Sequence, residues 1–171
     1  MSTITSKTIN EIEVFRLSAR TTDKIVRLNV DGLTQAESLI QPRPAGNCLN
    51  WVLGHLLCVY NKTLPLVGQK SVMSERALDR YDRGSQPIKD AVEAMEFSEL
   101  MSAWDEAAKR FDTGLASLTS ETLSAPAPFS PSGDPNETVG SLLSVISFHQ
   151  AYHAGQTGIL RRIAGKDGAI A

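Results

Sequence analysis

Long apolar runs and a surplus of charge of either sign are missing from this 171-residue chain, and cysteines are scarce. The longest apolar stretch, Trp51 to Tyr60, is broken by Gly54 and His55. It is far shorter than the ~20 residues a membrane-crossing helix needs, so no membrane partner is expected. The opening residues MSTITSKTIN hold no apolar core, and no secretory signal is expected. Lys and Arg number 17 against 19 Asp and Glu, a formal net charge of −2, which offers no basic field to nucleic acid. Where charges crowd, at Glu75, Arg76, Asp79, Arg80, Asp82 and Arg83, their signs alternate, as on a solvated face. Only two cysteines occur, Cys48 and Cys58, ten residues apart in one expected helix. That is about 15 Å along the axis, out of disulfide reach, and a reduced cytoplasmic protein is expected. What remains is the composition of an ordinary globule, 42% hydrophobic and 21% charged. The length suits a single domain over residues 1–171, large enough for one full core.

Apolar spacing is helical almost throughout, and the fold class read from it is all-α. A first helix is expected over about Thr8 to Val30, with Ile12, Phe15, Ala19, Val26 and Val30 on one stripe and Asp31-Gly32 as its stop. A second starts near Asn47, a capping residue, and runs to about Leu64 ahead of Pro65. It is apolar all round, which places it inside the protein. Residues 65–96 read as a long connection with a short helix near Ile88 to Met95. A third helix covers about Ser98 to Leu118, and the proline-rich stretch that follows, with Pro126, Pro128, Pro131 and Pro135, reads as irregular backbone. The last helix is expected to start at a capping box, Asp134 with Glu137, with Pro135 in its first position, and to end at Gly165. At about 29 residues it would be about 43 Å long. Four long helices with one long crossover between the second and third make a four-helix bundle.

Three histidines occur: His55, His149 and His153. The last two, at i and i+4, share one helix face about 6 Å apart at Cβ and can approach one ion from the same side. They interrupt the stripe Leu142, Val145, Ile146, Leu160, Ile163, and His55 interrupts the apolar second helix. Burial disfavours imidazolium, which leaves neutral rings with a lone pair, the form that Zn, Ni, Fe or Cu coordinates. Packing histidines held by hydrogen bonds are the alternative. Gln150 stands where the zinc peptidase motif requires glutamate, so that chemistry is excluded.

Asn47-x-x-x-Trp51-x-x-x-His55, followed 94 residues after its histidine by His149-Gln-Ala-Tyr-His153-Ala-Gly-Gln156, resembles the paired motifs of the DinB-like (YfiT-like) superfamily. The resemblance covers most of the chain. It implies an up-down-down-up four-helix bundle, often dimeric, that holds a divalent transition metal (Zn, Ni or Fe) on residues matching His55, His149 and His153. Characterised relatives include transferases and isomerases that use low-molecular-weight thiols, and a small-molecule substrate, with such a thiol as partner, follows as the expectation.

Around the three histidines, Trp51 either walls the site or packs in the core, and Gln156 either orients a ligand or bridges two helices. Tyr152 reads as a packing residue and Cys58 as a core thiol, with a fourth-ligand role as its alternative. Arg161 and Arg162 suit the negative end of the last helix, or an anionic substrate. A divalent ion on three neutral imidazoles would deprotonate a coordinated thiol or acidify water. The functional expectation is therefore a metal-dependent enzyme resembling a thiol S-transferase. The alternatives are a metal-dependent hydrolase and a metal-binding bundle that associates without turnover.

Overall fold

The structure, a computed structural model, describes residues 9–170. Those residues are all-helical, with no strand and one isolated bridge, Pro126 to Thr138. Four helices are long: α1 (Glu11–Val30), α3 (Leu49–Thr63), α5 (Phe97–Ala116) and α7 (Val139–Ile163). Three are short: α2 (Gln35–Ser38), α4 (Glu75–Leu78) and α6 (Ser120–Ser124). Helix α1 packs against α5 and α7, and α3 packs against the same two, so the four enclose a common core. No helix among the described residues is long and apolar enough to cross a membrane.

The expected stripe of α1 does face the core: Val26 and Val30 are buried in it, and Ile12, Phe15 and Ala19, partly buried, pack against it. Asn10 caps this helix, its side chain accepting from the Glu13 amide at 2.9 Å. The expected start at Thr8 lies outside the described residues.

Helix α3 is the innermost element, and of its 15 residues only Val59 and Lys62 escape burial. It begins one residue later than the capping logic of Asn47 suggests. Cys48 occupies the cap position without a side-chain bond, while Asn47 lines a cleft described below. Pro65 does not stop the chain but tightens it into a 3₁₀ turn, Leu64–Val67, which ends at Gly68 with φ +70°. The crossover that follows is held by asparagines of α3. Asn61 accepts from the amides of Val72 and Met73 at 2.8 and 3.0 Å. Asn50 donates to the Met95 carbonyl at 2.9 Å. In place of the helix expected over Ile88 to Met95 there is one 3₁₀ turn, Ala91–Glu93.

The start of α7 corrects the capping box read at Asp134 and Glu137. Residues 125–127 pair with 137–139, Ala127 donating to the Glu137 carbonyl and Val139 to the Ala125 carbonyl, each at 2.9 Å. That pairing holds Thr138 extended (φ −104°, ψ 164°), so a helix cannot begin before Val139. Thr138 and Ser141 form the capping box instead, with Ser141 N–H donating to Thr138 at 3.1 Å and Thr138 N–H donating to Ser141 at 2.9 Å. Asp134 to Glu137 is a turn, and the nearly buried Glu137 carboxylate accepts from the Ser130 and Ser141 hydroxyls. The helix has 25 residues, about 37 Å rather than about 43 Å.

Candidate metal centre

Helix α3 carries His55, and α7 carries His149 and His153 one turn apart; because the two helices pack together, the three imidazoles converge. One ring nitrogen from each lies within 4.8 Å of the others, a grouping able to hold a metal ion. Nε2 of His55 stands 3.1 Å from Nε2 of His149. Ring centroids are 5.1 Å apart for His55 and His149, 5.0 Å for His55 and His153, and 4.5 Å for His149 and His153.

Two of the tautomers are set by what lies behind the rings. Nδ1 of His55 donates to the Tyr81 carbonyl at 2.8 Å, and Nδ1 of His153 donates to the Gln156 amide oxygen at 2.7 Å. A proton on Nδ1 leaves the Nε2 lone pair directed away from the backbone acceptor and free to coordinate. His149 has the weakest support, its Nδ1 lying 3.4 Å from the Gln150 side-chain oxygen. Gln150 is itself fixed by donating to the Leu56 carbonyl at 3.2 Å across the helix interface.

Charge on these rings is opposed from several sides. Burial lowers the pKa of His55 and of His153. His149 is pushed down to about 4 by burial first, then by the charges of His153 and His55. At neutral pH all three rings are neutral, and each keeps one lone pair. The 3.1 Å contact of His55 and His149 is an N–H···N hydrogen bond when His149 carries its proton on Nε2, and moving that proton to Nδ1 turns the His149 lone pair to the cluster. Metal–nitrogen bonds of about 2.0–2.1 Å in tetrahedral geometry put ligand nitrogens about 3.3 Å apart, close to that spacing. The donor set therefore fits a borderline divalent ion such as Zn, Ni or Fe, and it includes no carboxylate.

One side of the cluster opens to a cleft of about 380 Å³, with Trp51, Asn47, His153, Gln156, Ile159 and Ile163 among its walls. Trp51 both walls the cleft and packs: it stacks on His55 with centroids 4.8 Å apart and planes at 15°, and it is nearly buried. Its indole N–H donates to the Ser85 hydroxyl at 2.9 Å. Gln156 accepts from His153 on its own helix, and among the described residues no hydrogen bond joins it to another helix.

Other expectations shift. Tyr152 does not pack in the core; it is 57% exposed, with its ring edge-on to His153 at 5.1 Å. Val145 and Ile163, read as part of the core stripe, are exposed at 42% and 40% because α7 packs through a narrower arc. Cys58 is a buried free thiol that faces Asp82 at 3.8 Å, outside the histidine group, and burial pushes its pKa up to about 11. Arg161 binds the carbonyls of Asn29, Asp31 and Asp167, which ties the end of α7 to the end of α1.

Two contributors escaped the sequence reading. Tyr81 acts through its backbone carbonyl, which no side-chain pattern reveals. Gly54 permits the Tyr81 ring to lie on α3, and a glycine inside a fully apolar helix was the available signal.

Among curated proteins none matches the chain. A solved structure, described as that of a conserved protein of locus from Enterococcus faecalis, is similar with a TM-score of 0.70. The similarity covers 93% of this chain and 100% of that one at 18% identity, which bears on the fold alone. The sequence profile of the DinB superfamily matches residues 19–157, a span that includes all three histidines and Gln156. The chain belongs to the DinB superfamily.

Proposed function

We propose that this protein is a metal-dependent enzyme in which His55, His149 and His153 ligate a divalent transition metal and a small thiol is activated for transfer. The observation that carries the reading is the convergence of three histidine nitrogens within 4.8 Å, two of them oriented from behind by Tyr81 and Gln156. A divalent ion on this neutral donor set would favour the thiolate of a bound thiol at neutral pH.

The chain's own residues do the rest. Tyr81 and Gln156 hold the protons of His55 and His153 on Nδ1. Trp51 shields His55 from solvent on one face, and the cleft beside it offers apolar walls to the electrophile. Absence of a carboxylate from the histidine group favours thiol transfer over water-based hydrolysis, where a general base is wanted. The test is consumption of 2-mercaptoethanol by an aryl or alkyl halide with the metal-loaded protein. Acceleration that chelation abolishes supports transfer. A rate equal to that of free metal contradicts it.

The same reading includes one cytoplasmic domain, a four-helix bundle of up-down-down-up topology, that works as a homodimer. Support for the location is the pair of free, buried thiols. Support for the dimer lies on α7, which has no charged residue before Arg161 yet leaves Phe148 73%, Ile159 62% and Tyr152 57% exposed. With Val145 and Ile163 this apolar face runs about 27 Å along the helix. Gly155 lies in its middle, with open space where a side chain would be, which lets a second copy of α7 approach closely. Such a self-complementary, uncharged face suits a two-fold contact.

A further inference from the structure

Asn47 is left without the task its residue type suggests. Cys48 takes the cap position of α3, and the Asn47 side chain has no hydrogen bond among the described residues. It stands half-buried one turn before Trp51, and the two line the cleft that opens beside His153. The chain ahead of it is shaped for that position. Gly46, at φ +145°, lies against Pro42, and a β-carbon built on it would come 2.6 Å from Cγ of Pro42. Glycine alone permits this close fold of residues 42–47, which brings Asn47 to the cleft wall.

The other walls define what this cleft accepts. Pro42, Trp51, Ile159 and Ile163 are among its apolar sides, and among the described residues no charged side chain lines it. The polar groups nearby are mostly spent. The Trp51 indole N–H donates to Ser85, and Gln156 gives its oxygen to the His153 proton. Asn47 is therefore the cleft side chain whose amide is wholly free. A volume of about 380 Å³ takes a ring-sized molecule, and apolar walls with a few placed polar groups are the general form of a small-molecule site. A charged group would lose water against these walls without a counter-charge on them, whereas a neutral carbonyl would find a donor.

We propose that Asn47 is the specificity-determining residue of this cleft, its side-chain N–H donating to a carbonyl oxygen of an uncharged, otherwise apolar electrophile whose reacting carbon lies toward His153. The inference rests on the reading that His55, His149 and His153 hold a metal that activates a thiol, and it names the class of the second substrate. In transfer the thiolate sulfur bonds to that carbon while the leaving group departs with the bonding pair, and the thiol proton passes to water. Asn47 has no hydrogen bond to the three histidines, so its replacement leaves them in place.

The experiment uses the full chain loaded with Zn and reads binding without turnover. Proton–nitrogen correlation spectra hold two indole signals: Trp51 in the cleft wall, and Trp104, buried and bonded to Asp23 at 2.8 Å, as internal reference. N,N-Dimethyl-p-toluamide, which has an acceptor and no N–H, and toluene are titrated into the wild type, Asn47→Ala and Asn47→Asp. Both ligands should move the Trp51 signal of the wild type and leave that of Trp104. Asn47→Ala should weaken the amide about fivefold and toluene less than about twofold. Asn47→Asp, which keeps the shape and loses the donor, should weaken the amide at least as much. Equal amide affinity in all three proteins, equal loss for both ligands, or a Trp51 signal that neither ligand moves overturns the role of Asn47 while the metal reading stands. Zinc content of the same samples tests the metal reading separately. If no zinc is taken up that reading falls, and the same titrations of the unloaded chain still decide whether Asn47 holds the amide.

Discussion

The ring of Tyr81 occupies the space that a side chain on Gly54 would need. A β-carbon built on Gly54 stands 2.1 Å from Cδ1 of Tyr81, far inside contact distance. Helix α3 therefore tolerates no side chain at this position, and the close approach lets the Tyr81 carbonyl reach His55. Gly54→Ala should push Tyr81 off the helix and release the proton acceptor behind His55. The expected outcome is a metal affinity about 10- to 100-fold lower by chelator competition. Overpacking should add a stability loss of about 1–3 kcal/mol in denaturant titration. Affinity unchanged in a folded variant would show that the Tyr81 carbonyl does not orient His55.

Gln156 offers a cleaner probe, since it is only half-buried and touches His153 through a single bond of 2.7 Å. Gln156→Ala should lower metal affinity about tenfold with the helical spectrum unchanged. Gln156→Glu keeps an acceptor for the Nδ1 proton and should restore most of the loss. Equal affinity in all three proteins would reduce Gln156 to a surface residue of the cleft.

The depressed pKa of His149 fixes a sign for pH. In the metal-free folded protein it stays neutral down to about 4, whereas unfolded histidine takes its proton near 6.5. Between those values the unfolded state binds more protons, so stability falls as pH drops from 6.5 toward about 4 and levels below that. Urea titrations of chelated protein across this range should show the decline, and His149→Ala should show a shallower one. A flat profile would mean that the ring is not held neutral by burial.

Much of this was legible in the residues alone. Four long helices follow from apolar spacing, and the three histidines stand out because each interrupts an apolar face. Where the reading missed, a contact distant in sequence decided the matter. Pairing of 125–127 with 137–139 moved the start of α7 past an apparently good capping box. Val145 was expected in the core stripe and Tyr152 in a packing role beside the ligand face, yet α7 turns both outward. Their exposure cannot be read from hydropathy when a helix buries one face in its own core and leaves another apolar face bare.

That bare face carries its own prediction. Phe148 is its most exposed member, and Phe148→Glu should dissociate a dimer to monomer in sedimentation velocity without loss of metal. A wild-type protein that sediments as a monomer at all concentrations would remove the homodimer from the account.

The central claim is that His55, His149 and His153 hold one metal ion. Elemental mass spectrometry of untagged protein, purified without chelators, tests it most directly beside His149→Ala. The account predicts about one transition-metal ion per chain in the wild type. It predicts loss of that ion in the variant, with the helical spectrum preserved. No metal in either protein, even after incubation with Zn, Ni or Fe(II), would contradict it and return the three histidines to a packing role.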